Sequence, residues 1–202
     1  MKLYYSPGAC SLAPHIVLRE AGLPFVLEKV DVAKHTRSSG EDFYAINSKG
    51  QVPVLELADG ARLTEGPVIA QFVADKAGNT SLMPAAGSMA RYRVMEWQNY
   101  ITSELHKSFS PLFSSAFDAN AKALHSQLLR KKYEWLDSHL ALAPFLTGEA
   151  FTAADAYLFT VTGWAKYVKL DLSNLPHLQA FLARVAERPA VQAALKAEGL
   201  LG

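Results

Sequence analysis

The stretch that decides the fold is KLYYSPGACSLAP, residues 2–14. Leu3 and Tyr5 alternate with their neighbours as in a β-strand, and the pattern from Ser11 to Ala21 predicts a helix that Gly22 stops. A short strand that turns directly into a helix is typical of an α/β domain. The Pro-Gly loop between the two elements lies where such domains bind their ligands.

The one cysteine of the chain, Cys10, lies in this loop, at the predicted N-terminus of the helix. Unpaired backbone N–H groups and the positive end of the helix dipole favour the thiolate there, and the thiolate is the reactive form of sulfur. A buried structural cysteine is the alternative, and residue type alone favours it. The position of Cys10 at the end of a strand favours a reactive thiol instead.

Composition excludes several classes of protein. The chain has 202 residues, is 50% hydrophobic and carries a net charge of +1, so it lacks the basic patch that a nucleic acid or an anionic membrane would need. Apolar runs such as residues 153–165 are too short to span a bilayer, and no signal-peptide pattern is present. One cysteine cannot form an internal disulfide, so we expect a cytoplasmic protein. No Cys-x-x-Cys or His-x-x-x-His spacing predicts a metal site.

The first 80 residues continue as an α/β pattern. The predicted elements after the first helix are a strand at 25–31, a short helix within 32–50, a hairpin of 53–57 and 62–64 turning at Asp59-Gly60, and a helix that Pro67 starts. Strand, helix, strand, hairpin and helix is the order of a thioredoxin-like domain. We therefore predict such a domain over residues 1–80.

Beyond this point the strand signals disappear. Residues 81–88 have the composition of a linker, and residues 89–202 predict an all-helical domain. Long amphipathic patterns run from Met89 to Leu112 and from Ala121 to Leu140. Thr152 and Asp155 form a capping-box pattern worth ~1 kcal/mol before a helix that is apolar on nearly all sides.

Five segments in this order resemble the cytosolic glutathione transferases, and specifically the bacterial beta class. They are Tyr5-Ser6-Pro7-Gly8-Ala9-Cys10-Ser11, Gly50-Gln51-Val52-Pro53-Val54-Leu55, Leu63-Thr64-Glu65-Gly66, Glu104-Leu105-His106-Lys107 and Phe151-Thr152-Ala153-Ala154-Asp155-Ala156-Tyr157. The resemblance covers the whole chain. It implies a two-domain transferase that uses glutathione as cosubstrate, and it implies a homodimer.

The resemblance also assigns site residues. It implies catalytic roles for Cys10, Ser11 and His106. The implied glutathione site contains Cys10, His35, Val52, Pro53, Glu65, Gly66, Asn99, Ser103, Glu104, Leu105 and His106. Aromatic residues expected to line the pocket for a small apolar electrophile are Tyr5, Phe109, Phe113, Trp164 and Tyr167.

Several of these positions have a plainer reading from the residues alone. A proline that starts an edge strand is usually trans, whereas the resemblance implies a cis Val52-Pro53 bond whose backbone pairs with glutathione. Glu65 can simply complement a helix dipole, or it can bind the ammonium group of glutathione. His106 on a long helix can be a packing residue, whereas the resemblance places it across the domain cleft from Cys10, where it can move a proton.

One position departs from the family pattern. His35 stands where the family often has a lysine that reaches the glycine carboxylate of glutathione, so glutathione affinity can be weaker or depend more on pH. Cys10 also permits thiol–disulfide exchange or reductive dehalogenation through a mixed disulfide. The alternative from another functional class is a noncatalytic ligand carrier or interaction protein of the same fold.

Overall fold

A computed structural model describes residues 1–201 of the chain. The chain divides into two compact units. The first unit contains Met1–Met83 together with the chain from Arg188 on, and the second contains Pro84–Glu187. Within residues 1–201, no helix combines the length and apolar character needed to cross a membrane.

The first unit is built on a mixed five-stranded sheet. Its strands are β1 (Lys2–Tyr5), β2 (Val26–Asp31), β3 (Thr36–Arg37), β4 (Val54–Glu56) and β5 (Arg62–Thr64). Their order across the sheet is β3-β2-β1-β4-β5. β1 and β2 are parallel, and the other neighbours are antiparallel. The predicted βαβ unit and hairpin are confirmed, whereas β3 was not predicted because two residues carry no alternation.

Helices α1 (Leu12–Glu20) and α2 (Gly66–Ala77) pack against each other in the first unit. They bury Ile16 and Ile69 completely. A 3₁₀ turn at Phe43–Ala45 is the predicted short helix. Phe43 packs in a buried apolar cluster that includes Val52 and Val54, which ties the irregular segment before β4 to the sheet.

The boundary of the second unit differs from the predicted one. Helix α8 (Pro189–Ala197) packs on α1 of the first unit, with Val191 and Ala194 buried. Residues from 188 on therefore do not belong to a helical domain of 89–202. An amphipathic pattern shows that a helix buries one face, but it does not show which partner covers that face.

The second unit is all-helical. Its helices are α3 (Met89–Tyr100), α4 (Lys107–Phe113), α5 (Ala119–Leu140), α6 (Ala153–Thr162) and α7 (Pro176–Ala186). The predicted long helix from Met89 to Leu112 is confirmed as a stretch that is helical throughout, but Ile101–His106 form a π-helical segment between α3 and α4, which was not predicted. There the hydroxyls of Thr102 and Ser103 donate to the carbonyls four residues earlier, a contact that competes with regular helical bonding.

Helix α6 is the centre of the second unit, as the sequence predicts. Every residue of it except Phe159 is buried. The Asp155 carboxylate accepts the Thr152 N–H at 2.8 Å and the Thr152 hydroxyl at 2.8 Å, which confirms the capping box. It also accepts the Leu146 N–H at 2.9 Å, so it joins the loop before α6 to the helix.

Candidate functional site

The loop between β1 and α1 is a series of tight turns. The Ala9 N–H donates to the Ser6 carbonyl and the Leu12 N–H donates to the Ala9 carbonyl, both at 3.0 Å. Gly8 has a φ of 71°, a backbone conformation that residues other than glycine rarely adopt. The backbone of this loop therefore sets the position of Cys10.

Ser11 closes this loop and does not point to a ligand. Its side chain is completely buried, and its Oγ both accepts the Ser6 N–H and donates to the Ser6 carbonyl, each at 3.2 Å. The prediction that the Ser11 hydroxyl takes part in catalysis is therefore corrected to a role in holding the loop. The reason is that the single donor of the buried hydroxyl is already used on the Ser6 carbonyl.

Cys10 is partly exposed, and its thiol donates to the carbonyl of Val52 at 3.3 Å. The structure thus joins two segments that lie far apart in the sequence and that were both predicted to form the site. Fewer unpaired N–H groups of the helix are available to stabilise a Cys10 thiolate than the sequence predicted. The N–H groups of Leu12 and Ala13 donate to the carbonyls of Ala9 and Cys10, at 3.0 and 3.2 Å, and Pro14 has no N–H to offer.

The Val52-Pro53 peptide bond is cis, as the family resemblance implied. Both residues are buried. The Val52 carbonyl accepts the Cys10 thiol, and within residues 1–201 the Val52 N–H has no hydrogen-bond acceptor. A backbone donor next to a thiol is what an extended peptide needs in order to pair with this segment.

Glu65 and Gly66 lie at the N-terminus of α2, as predicted. Glu65 has a φ of 67°, an uncommon value for a residue with a side chain. Its carboxylate is exposed and bonds to the Lys49 ammonium at 2.5 Å. The acidic group is therefore on the surface of the first unit with a cation beside it, a partner that the sequence analysis did not identify.

His35 contacts Gly50 and Tyr44. Its Nδ1 is 3.1 Å from the Gly50 carbonyl, and its ring lies 4.5 Å from the ring of Tyr44. A Cβ on Gly50 would come within 2.7 Å of both side chains. His35 therefore helps to shape the turn that leads into Val52, in the position where a lysine was expected.

His106 ends the π-helical segment of the second unit. Its Nδ1 lies 2.7 Å from the hydroxyl of Tyr157, and its ring packs edge-on against Trp164 at 4.8 Å. The tyrosine hydroxyl can donate to or accept from Nδ1, so the contact fixes the orientation of the ring in either tautomer. Tyr157 belongs to one of the five segments that resemble the family, but no pattern in the sequence indicated that it contacts His106.

The other residues of this helical stretch that were predicted to contact glutathione have different environments. Asn99 and Ser103 are exposed, and Ser103 donates to the Asn99 carbonyl at 3.1 Å. Glu104 bonds to the Lys132 ammonium at 2.9 Å, and this cation lowers the pKa of the carboxyl. Leu105 is completely buried in the core of the second unit, so its side chain is a packing residue and not a ligand contact.

The residues predicted to line the electrophile pocket do not all belong to one unit. Phe109, Phe113 and Trp164 form one aromatic cluster, with Phe109 only 1% exposed and Phe113 54% exposed. Phe109 is therefore a core residue behind Trp164. Tyr167 is exposed in the second unit, whereas Tyr5 is buried in the first, where burial raises the pKa of its hydroxyl.

A buried polar network under the Cys10 loop was not predicted. Glu198 accepts the Gly8 N–H at 2.9 Å and bonds to His15 Nδ1 at 2.8 Å, with both side chains fully buried. Arg19 donates to His15 Nε2 at 2.9 Å, so the proton of this ring is on Nδ1 and points to Glu198. The network joins residues at opposite ends of the chain, which no local pattern can indicate.

Comparisons with known proteins agree with this architecture. Residues 8–76 match the family model for the N-terminal domain of glutathione S-transferase, and residues 113–195 match the model for its C-terminal domain. The chain is 50% identical over 200 residues to the glutathione S-transferase GstA of Escherichia coli O157:H7, across 99% of this chain and 100% of that protein. It is 41% identical to glutathione S-transferase GST-4.5 of Xanthomonas campestris pv. campestris, again across 99% of this chain and 100% of that protein.

Solved structures give the same answer. A ternary complex of BphK, a bacterial glutathione S-transferase, has a TM-score of 0.96 at 54% identity, covering 99% of this chain and 100% of that chain. A sphingomonad glutathione S-transferase complexed with glutathione has a TM-score of 0.95 at 46% identity, with coverage of 99% and 100%. A beta class enzyme of Sphingomonas chungbukensis has a TM-score of 0.96 at 44% identity and covers 100% of both chains. The chain belongs to the glutathione S-transferase family, and the predicted fold and transferase class are confirmed.

Proposed function

We propose that the first unit binds glutathione along the Val52-Pro53 segment, with the glutathione sulfur beside Cys10. The observation that carries this proposal is the 3.3 Å contact between the Cys10 thiol and the Val52 carbonyl. The Val52 N–H supplies a backbone donor for the peptide, and Glu65 at the start of α2 supplies a carboxylate for its ammonium group. The glutathione complex of the sphingomonad relative supports the same ligand.

The proposed transfer reaction uses the thiolate of glutathione as nucleophile. It attacks an electrophilic carbon, a carbon–sulfur bond forms, and the leaving group departs with the bonding electron pair. His106 is proposed to take the thiol proton, with its ring held by Tyr157 at 2.7 Å. The aromatic cluster of Phe113 and Trp164 favours a small apolar or aromatic electrophile, as in detoxification.

A second reaction is supported by the exposure of Cys10. Its thiolate attacks the glutathione sulfur of a mixed disulfide between glutathione and another thiol, a Cys10–glutathione disulfide forms, and the other thiol leaves as a thiolate. A further glutathione thiolate then attacks the Cys10–glutathione disulfide, which releases glutathione disulfide and restores the Cys10 thiolate. Cys10 is partly exposed and is the one cysteine of the chain, so this exchange has a single possible site.

The assembly and location proposals rest on the resemblance and the composition. We propose a homodimer, as expected for this family, and a reducing cytoplasm, as expected for a chain with one cysteine. Light scattering at several protein concentrations tests the dimer. A mass equal to one chain at all concentrations would overturn that part of the proposal.

Calorimetric titration with glutathione, together with turnover of an activated aryl chloride, tests the main proposal. We expect Glu65→Gln to weaken glutathione binding by about tenfold, because a charged hydrogen bond to the ammonium group is lost. Glu149→Gln is the matched control, because Glu149 is an exposed residue of the second unit. Binding without any turnover would favour a ligand carrier, and no binding by the wild-type chain would contradict the proposal as a whole.

A further inference from the structure

The ammonium group of Lys49 lies on the surface of the first unit, and no sequence motif indicated a role for it. Lys49 Nζ lies 2.5 Å from Glu65 Oε1 and 3.1 Å from Thr64 Oγ1. Its side chain is 45% exposed and that of Glu65 is 62% exposed, so both charges are open to solvent. Exposed ion pairs contribute little to stability, so a ligand can exchange with this contact at small cost.

Both partners of the pair have a fixed backbone. Asn47 accepts the Lys49 N–H at 3.2 Å and donates to the Gln51 carbonyl at 2.7 Å, which holds the segment before Val52. On the other side, Thr64 pairs with Val54 in the sheet, and Glu65 follows it directly. The pair therefore stands at a set place next to the segment to which glutathione is proposed to bind.

The hydrogen-bonding capacity of the pair is only partly used. An ammonium group has three donors, and within residues 1–201 Lys49 uses two of them, on Glu65 and Thr64. A carboxylate has two oxygens with about four acceptor positions, so Glu65 can hold Lys49 and a second cation together. Lys49 therefore has one donor left, and Glu65 has further acceptor positions left. A ligand that carries both a negative and a positive charge can use them.

We propose that Lys49 binds the α-carboxylate of the γ-glutamyl end of glutathione while Glu65 binds its ammonium group. The inference rests on the proposed function, because it concerns the same ligand. The neighbouring charges of Lys49 and Glu65 are complementary to the zwitterion of an amino acid. The ligand's carboxylate pairs with Lys49 and its ammonium group pairs with Glu65. Lys49 thus makes the site specific for a γ-glutamyl group that retains its α-carboxylate.

The test measures binding of two ligands to four proteins, the wild type and three variants, by calorimetry. The ligands are glutathione and γ-aminobutyryl-cysteinyl-glycine, which lacks only the α-carboxylate. The variants are Lys49→Met and Lys49→Arg, and Lys76→Met is the matched control for losing one exposed cation of the same unit. Thermal melts confirm that all of these variants fold.

We expect Lys49→Met to weaken glutathione binding by about tenfold and Lys49→Arg to stay within about threefold of the wild type. The shortened ligand should bind wild type and Lys49→Met equally, because it has no carboxylate for Lys49 to hold. Unchanged or tighter glutathione binding by Lys49→Met would overturn the inference, the tighter case meaning that Lys49 competes with the ligand's ammonium group. An equal loss for both ligands would also overturn it.

These outcomes separate the inference from the function on which it rests. If the wild-type chain binds glutathione and Lys49→Met binds it equally well, only the role of Lys49 is wrong. If the wild-type chain does not bind glutathione, both proposals are wrong.

Discussion

The two units hold their candidate functional residues by different means. In the first unit the decisive features belong to the backbone: the turns of the Cys10 loop, the cis Val52-Pro53 bond and the positive φ of Glu65. In the second unit they are side chains held by other side chains, such as His106 by Tyr157. Proline and glycine patterns indicate backbone features, whereas partners between side chains depend on how distant helices pack. The candidate residues of the first unit were therefore the more predictable ones.

The largest expected effect tests whether the second unit depends on such side-chain contacts. Asp155→Ala should lower the free energy of unfolding by about 3 kcal/mol, because it leaves the buried N–H groups of Leu146 and Thr152 without an acceptor. This exceeds the ~1 kcal/mol that a capping box alone predicts. Denaturant midpoints measure the loss.

Asp118→Ala is the matched control, since Asp118 caps α5 at an exposed position by accepting the Ala121 N–H at 2.8 Å. It should cost about 1 kcal/mol. Equal losses for the two variants would mean that burial adds nothing to the Asp155 contacts.

The pH dependence of stability also tests the effect of burying the Asp155 carboxyl group. Burial raises the pKa of Asp155 from 3.8 to about 6, although its hydrogen bonds act in the opposite direction. Because the folded-state pKa is the higher one, the folded chain binds the proton more tightly, and this stabilisation is lost as the pH rises from about 4 to about 6. Relative to Asp155→Asn, the wild type should lose up to about 3 kcal/mol over that range. Parallel pH profiles of the two proteins would contradict a raised pKa.

Glu198 is the exception in the first unit, because a distant side chain there holds the backbone of the Cys10 loop. Glu198→Gln should lower the free energy of unfolding by about 2 kcal/mol, since the amide cannot accept from both Gly8 and His15 as the carboxylate does. Glu187→Gln, at an exposed position before α8, should change stability by less than about 0.5 kcal/mol. If chemical denaturation shows no difference between these variants, the loop is held by its own turns alone.

The smallest expected effect concerns the side-chain support of His106. Tyr157→Phe should lower kcat/KM for conjugation by about fivefold, equivalent to about 1 kcal/mol, with little loss of stability. The pH profile of kcat/KM should shift as well, because the bond to Nδ1 affects the protonation of the ring. Tyr92→Phe, on an exposed ring of the same unit, is the control and should match the wild type. A normal profile for Tyr157→Phe would leave His106 as a packing residue.

The sequence predicted what local patterns encode. The strand-to-helix turn at Cys10, the hairpin before α2 and the capping box at Thr152 were all found as expected. The cis state of Val52-Pro53 required the family resemblance, because proline statistics alone favour trans.

The errors share a physical cause. The π-helical segment, the position of α8 on α1 and the burial of Ser11 depend on contacts that hydrophobic periodicity does not describe. Leu105 was assigned to the ligand site because the family resemblance includes its segment, and Phe109 because it is aromatic. Neither reason shows how deeply a side chain is buried. Lys49 was missed because a single exposed lysine has no distinguishing pattern.

The central claim is that the first unit binds glutathione with its sulfur beside Cys10, and intact-mass spectrometry of disulfide exchange tests it most directly. Incubated with glutathione disulfide, the chain should gain one glutathione at its one cysteine, and dithiothreitol should remove it. The adduct should form at least about tenfold faster than with hydroxyethyl disulfide, which has no group for the Val52 and Glu65 contacts. Equal rates with the two disulfides, or labelling by hydroxyethyl disulfide alone, would contradict the claim.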